Sequence, residues 1–523
     1  MEAAHWGGGR GVFSYYLLKG LNGLADKNKD QMVSLFEIER YLEDEVTNAV
    51  APQKQLPMAV GNKASLLTKV RSSGPTEESE AGQQNQTLAQ ARGTLNDFSN
   101  FKNPNISKLY QAFAKSIADK RMIYPKDSSA WDYLTALEKE PETAAYLQQW
   151  KYQLAAAMVD ETQQAINDYL KSDPVELRKR WSFNERYERY PEYLEKAASI
   201  LGTEHKLYSI LQSRKHYYEG LKLRLKGERS KNINLFETAR MQQLRCIELD
   251  PDAAFAYNEL GLLERRKSNS KEAIRYFQKA LSLSPGWALA WTNLSACFND
   301  LELLDSAIFS GLKAIELDNK FALAHYNLGS SYQMVQQFDL AIENLMIATQ
   351  LDTTYANAYF NLSLTYYHSK KYPEAKKAIL HYLELKPNDP DALINLGEIE
   401  LKLEQTQIAL AIFNDVLRVH PENPAALQSL GEYYRSINQL DSSDAYFKRI
   451  TEKAPLVYFY LASNASLQNH SEISMEYFKQ AFSQGFNKTE LMKLDKGFEK
   501  MRDHQPFVIL LQQYFPNLSG LKD

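Results

Sequence analysis

A 34-residue period in the second half of the chain restricts its fold more than any other feature of its 523 residues. Tyr257, Trp291, His325, Tyr359, Leu393 and Leu427 stand one period apart. Each is followed three positions later by a leucine: Leu260, Leu294, Leu328, Leu362, Leu396 and Leu430. The next position is always small (Gly261, Ser295, Gly329, Ser363, Gly397, Gly431). Twelve residues on come Ala273, Ala307, Ala341, Ala375 and Ala409, with Ser443 in the sixth copy, and Pro285, Pro387, Pro421 and Pro455 end four of the units. Small residues at two fixed positions let paired antiparallel helices approach closely, while the bulky residues beside them fill the grooves between hairpins. Such a hairpin buries its second face only against a neighbour, so copies must stack. Proline closes the second helix because it cannot continue the hydrogen-bond ladder. The expectation is a right-handed, all-α solenoid.

This pattern resembles the tetratricopeptide repeat (TPR). A further copy, with Tyr458, Leu461, Ala462, Phe478 and Ala481, comes three residues early. Upstream, "HYYEGLKLRLKGERSKNINLFETARMQQLRCIELDP" fits if the turn after Gly220 carries an insertion of seven residues before Ala239. The array is therefore expected over 216–486, in about eight units with the first and last atypical. Residues 487–523 keep helical periodicity without the motif, as a terminal cap does.

A stack of hairpins lines up equivalent side chains of its first helices. One such ladder is Asn293, Asn327, Asn361 and Asn395. An asparagine amide both accepts and donates, so a row of them can pair with the backbone of an extended peptide. The ladder is similar to that in the TPR arrays of protein O-GlcNAc transferases, and the alternative is an asparagine common at this repeat position for local reasons. Tyr326, Phe360 and Tyr367 are expected beside it, as anchors for an apolar ligand residue or as packing between helices. Arg265, Arg266, Asp300, Glu398, Lys402, Glu432 and Arg435 mix both signs of charge, so a clamp for an acidic terminus is not expected.

Before the array, apolar residues recur at helical spacing over 101–215, as in Ile106, Leu109, Phe113 and Ile117, or Trp150, Leu154, Met158 and Ile166. Within it "ELRKRWSFNERYERYPEYLEKAASI" interleaves arginine with tyrosine. That composition suits single-stranded nucleic acid, but its glutamates favour a solvated helix. Residues 71–100 are expected to be a flexible linker, its Ser-, Gly-, Glu- and Gln-rich part falling at 71–92.

Residues 1–70 carry "GGGRGVFSYYLLKGLNGLAD", then "LFEIERYLEDEV" and "PQKQLPMAVGN". They resemble the C-terminal part of caspase-like peptidases (family C14), particularly bacterial metacaspase-like proteins with TPR arrays. The resemblance implies a short α/β remnant whose catalytic His/Cys dyad belongs upstream. No cysteine precedes Cys246, and His5 is the only histidine in the first 200 residues, so no nucleophile or paired imidazole is expected here. The reading is of a truncated or partial chain. Its "DKNKDQMVSLFE" has the ligand spacing of a calcium loop at Asp26, Asn28, Asp30, Ser34 and Glu37, with Gln31 where glycine is usual. The alternative is a turn and helix start.

Composition adds mainly exclusions. A net charge of -4, with 44% hydrophobic residues, gives no global field toward nucleic acid or a membrane surface. Cys246 and Cys297 lack metal-ligand spacing, and no run of apolar residues is long enough to span a bilayer. The expectation is a mainly all-α, non-catalytic, cytoplasmic scaffold binding a protein or peptide, without cofactor. The alternative is the C-terminal portion of a caspase-like cysteine endopeptidase.

Overall fold

The computed structural model describes residues 103–182 and 184–516, together with Met32–Ser34, Ile38 and Leu66–Lys69. Strand β1 (Met32–Ser34) pairs antiparallel with β2 (Leu66–Lys69), Val33 opposite Thr68. The other residues of the expected caspase-like remnant, and the linker over 71–100, lie outside the described residues. The chain divides into two compact units, Met1–Trp287 and Ala288–Asp523.

Unit 1 opens with α1 (Pro104–Ala118) and α2 (Ala130–Leu137). Asn103 accepts from the Asn105 amide, and Ser129 with Asp132 forms a reciprocal cap on α2. These side chains satisfy amides that a helix start leaves unpaired. The long α3 (Leu147–Leu170) buries Trp150, Leu154, Met158 and Ile166, as their spacing predicts. Then follow α4 (Pro174–Trp181), α5 (Arg186–Leu201), and the hairpins α6 (Tyr208–Ser230)/α7 (Asn234–Leu249) and α8 (Ala254–Arg266)/α9 (Ser270–Leu283). Two expectations are corrected here. The Arg/Tyr stretch is not a solvated helix: Tyr187, Tyr190 and Tyr193 are buried, with Glu176 and Arg180. Nor does the insertion enlarge the turn after Gly220. Helix α6 runs on to Ser230, which keeps the extra backbone groups paired, and it begins at Tyr208, upstream of the expected boundary at 216.

Unit 2 contains α10 (Ala288–Asp300)/α11 (Leu304–Leu317), α12 (Ala322–Met334)/α13 (Phe338–Leu351) and α14 (Ala356–His368)/α15 (Tyr372–Leu385). It continues with α16 (Pro390–Lys402)/α17 (Thr406–Val419), α18 (Pro424–Ser436)/α19 (Leu440–Arg449) and α20 (Pro455–Leu467)/α21 (Ser471–Ser483). It ends in α22 (Thr489–Leu494), α23 (Lys496–Met501) and α24 (Gln505–Tyr514).

The small residue of each first helix marks its crossing with the second. A Cβ on Gly431 would stand 2.5 Å from the buried ring of Phe447. Where serine replaces glycine, its hydroxyl is used: Ser295 Oγ donates to the Ala307 carbonyl at 2.8 Å, and Ser363 Oγ to that of Ala375 at 3.0 Å. The period is equally plain in the backbone. In unit 2 the hairpin turns place Glu302, Gln336, Lys370, Glu404 and Asn438 at φ between 56° and 61°. The turn of the early copy has Asn469, at φ 67°. Such a residue lets the next amide bond back to the helix, as Gln337 N does to Tyr332 O at 2.9 Å.

Candidate functional site

The ladder asparagines lie on successive first helices of unit 2, but they are less open than the sequence expectation required. Asn293, Asn327 and Asn395 are buried and Asn361 is half-buried. Asn327 Nδ2 donates to the Thr292 carbonyl and Asn361 Nδ2 to Ser330 Oγ, each at 3.0 Å. Both bonds reach back to the preceding first helix. Asn395 Nδ2 has no partner, because the position matching Ser330 one repeat later is Leu364. One repeat on, the ladder position is Ser429, whose hydroxyl donates to Glu398 Oε1 at 3.1 Å. An amide that is buried and bonded to its neighbour does not read a peptide backbone while keeping that bond. In the structure Asn327 and Asn361 brace adjacent first helices.

The three aromatics are part-buried. The Tyr326 ring lies 4.9 Å from Tyr355, Phe360 5.3 Å from Tyr382 and Tyr367 5.7 Å from Tyr372, centre to centre. Tyr367 also stands in a carboxylate field. Its hydroxyl is pushed up to about 12, first by burial and then by the charge of Glu398, with Tyr372 and Glu432 adding to it. Glu398 is itself held above the usual carboxylate range by burial and by Glu432, against the pull of Ser429 and Lys402. Tyr367, Glu398 and Glu432, from α14, α16 and α18, therefore share one region. Arg435 is committed elsewhere. It pairs with Asp495, the N-cap of α23, and donates to Ser463 Oγ at 2.6 Å.

Unit 1 contains a second polar constellation. At the position where the next four repeats carry asparagine, the first has Glu259, which is fully buried. Arg224 Nε donates to Glu259 Oε2 at 2.6 Å, the Tyr169 hydroxyl to Glu259 Oε1 at 3.1 Å, and Arg180 Nη1 lies 3.7 Å from that oxygen. The Arg180 guanidinium sits 3.6 Å over the Tyr169 ring, donates to Glu176 Oε1 at 2.9 Å and to the Tyr217 hydroxyl at 2.7 Å. Burial alone would lower its pKa, but Tyr217, Tyr169, Tyr187 and Glu259 hold it above its ordinary value. The sequence signal for this cluster was one anomaly, a glutamate at the ladder position one repeat before the asparagine row.

Other candidates place as follows. Ser34 is the last residue of β1, and Asp26, Asn28, Asp30 and Glu37 of the calcium loop lie outside the described residues. Among the described residues, no group of three or more His, Cys, Asp or Glu is placed to hold a metal ion. Cys246 and Cys297 are buried, and burial pushes the Cys246 thiol up to about 12, the opposite of an activated nucleophile. No described helix is long and apolar enough to cross a membrane.

Helix pairs repeating every 34 residues, with a small residue at each crossing and a left-handed residue at each turn, define a helical-hairpin repeat protein. Tetratricopeptide-repeat family models match residues 254–287, 356–389 and 394–456, so the chain carries tetratricopeptide repeats. A comparison with curated proteins finds no match. Among solved structures the chain is similar to MamA, at 30% identity over 30% of this chain and 93% of that one, with a TM-score of 0.29. It is similar to YrrB, described as a TPR protein with an unusual peptide-binding site, at 22% identity over 36% and 96% of the two chains, TM-score 0.31. A tetratricopeptide repeat protein from Parabacteroides merdae matches at 18% identity over 47% and 98%, TM-score 0.42. TPR proteins are in general scaffolds for protein or peptide partners, and typically not enzymes.

Proposed function

We propose that the chain is a non-catalytic interaction scaffold whose unit-2 first helices receive an extended segment of a partner protein. The observation that carries this reading is the row of part-exposed side chains on α12, α14, α16 and α18. It is aromatic at Tyr326, Phe360 and Tyr367 and anionic at Glu398 and Glu432. Rigid helices present these groups at a fixed spacing, so little conformational entropy is lost when they are engaged. Aromatic anchors of this kind dominate peptide and protein interfaces. The ladder serves the same groove indirectly, by fixing the spacing of the helices that bear the anchors.

The test uses dodecapeptides selected from a random library on the full chain. Phe360→Ala and Tyr367→Ala are each expected to weaken a selected peptide by about tenfold or more, or roughly 1.4 kcal/mol, with helicity unchanged. Affinity within about twofold of the parent for both variants contradicts the reading. A second reading keeps residues 1–70 within a caspase-like domain, and the antiparallel pairing of β1 with β2 is the observation that favours it. The chain's two cysteines, both buried on helices, give that reading no nucleophile.

A further inference from the structure

The second helices of unit 2 present apolar side chains to solvent at fixed places in the repeat. Leu312, Met346 and Leu380, on α11, α13 and α15, stand at one repeat position. Leu317, Leu351, Leu385 and Val419, the last on α17, stand at another. All of them are between 38% and 68% exposed. Scattered leucines on a surface are ordinary, but an apolar face with a polar border marks a contact with another macromolecule. The border is sharp. On α17 the first row passes to Asn414, and one hairpin further the two positions hold Lys448 and Lys453.

The charges on this face say what covers it. Lys313 pairs with Glu316 at 2.7 Å on α11, and Arg418 with Asp415 at 3.0 Å on α17. Lys313 and Asp415 share one repeat position and Glu316 and Arg418 another, so the order of signs along α17 reverses that along α11. On the helices between them Glu343 of α13 and Lys377 of α15, both exposed, again share a position with opposite sign. His381 and Glu384 of α15 answer to the uncharged Ile347 and Gln350 of α13. The half of the face on α11 and α13 is therefore the charge complement of the half on α15 and α17.

A surface whose two halves complement each other is self-complementary about a two-fold axis. An axis parallel to the helices and passing between α13 and α15 lays α13 of one copy on α15 of the other, and α11 on α17, at like repeat positions. It sets Lys313 against Asp415, Glu316 against Arg418 and Glu343 against Lys377. Met346 then meets Leu380, Leu351 meets Leu385 and Leu317 meets Val419, while the exposed Phe309 ring faces the small, exposed Ala411. Centring the axis on α13 or on α15 would instead oppose Glu343 to itself or Lys377 to itself, so charge also selects the register. Solvent-exposed ion pairs within a helix are weak, and exchanging their partners costs little. Burial of the apolar rows supplies the gain.

We propose that the solvent-facing side of α11, α13, α15 and α17 is a homodimer interface, formed with a second copy of this chain about that two-fold axis. The interface lies on the second helices and leaves the first helices to another ligand, so it stands independently of the peptide groove. Sedimentation equilibrium on the full chain, up to about 200 µM, compares the parent with Leu380→Glu, Glu343→Lys and the charge swap Glu343→Lys/Lys377→Glu, with circular dichroism on each.

The parent is expected to pass from one chain to two as concentration rises. Leu380→Glu and Glu343→Lys are each expected to weaken association about tenfold or more with helicity unchanged, and the charge swap to restore it to within about threefold of the parent. A parent that stays a single chain throughout, or that passes beyond two, overturns the proposal, and that measurement needs no variant to fold. A dimer left intact by Leu380→Glu overturns it as well. So does a dimer that Leu380→Glu weakens but that is indifferent to Glu343→Lys, because the two-fold pairing is then not the one formed.

Discussion

Glu398 is a residue whose environment works against its own charge, and that conflict is measurable without any ligand. Burial and Glu432 hold its folded carboxyl above the usual range, against the pull of Ser429 and Lys402 and with Tyr367 nearby. A carboxyl with a raised folded pKa binds protons more tightly folded than unfolded. Its contribution to stability therefore falls as pH rises from the unfolded value through the folded one. Glu398→Gln should raise the urea midpoint at pH 7 and leave it unchanged near pH 4; equal effects at both pH values would show that charge is not the cause. Asn327 makes the opposite case. Its buried amide ties α12 to the Thr292 carbonyl of α10, so Asn327→Ala should cost about 1 kcal/mol in equilibrium unfolding. A neutral effect would return the ladder to solvent. The ladder's positions were legible in the sequence, but its orientation was not, because the acceptors Thr292 and Ser330 lie on the preceding helix. The carboxylate pair appeared in the sequence only as part of a mixed set of charges, since half-burial is a property of the packed groove.

At the scale of helices, the hairpin is set by one close crossing and one turn. Gly431 meets Phe447 across α18 and α19, and the ring is enclosed by Leu427, Leu430, Ile450 and Val457. Gly431→Ala should destabilise the chain by about 1–3 kcal/mol, because the added methyl has no void to enter. A change below about 0.5 kcal/mol in urea unfolding would mean that the crossing is looser than its geometry. This crossing was readable from the small residue at its fixed place in the period. So was the early start of the last hairpin: Asn469 takes the left-handed turn conformation three residues ahead of the period, as the shifted motif requires. The Arg/Tyr stretch was not readable. Its charges look solvated when counted along α4 and α5, yet Arg180 finds Tyr169 on α3, Tyr217 on α6 and Glu259 on α8. A composition window has no access to partners tens of residues away. The lengthening of α6 escaped for a related reason, since an insertion and a longer helix leave the same gap in a motif alignment.

At the scale of the whole molecule, each unit has its own polar centre. In unit 1 arginines, tyrosines and glutamates bond to one another in the interior. In unit 2 aromatics and carboxylates are left half-open on the first helices. Repeat packing accounts for that difference, because it buries the faces between hairpins and leaves one side of each first helix for a ligand. The central claim is that this side is the binding surface. The most direct measurement is amide hydrogen exchange on the full chain with and without a saturating selected peptide. The account predicts added protection over Ala322–Met334, Ala356–His368, Pro390–Lys402 and Pro424–Ser436. Protection confined to the second helices Phe338–Leu351 and Tyr372–Leu385, with those four segments unchanged, would contradict it.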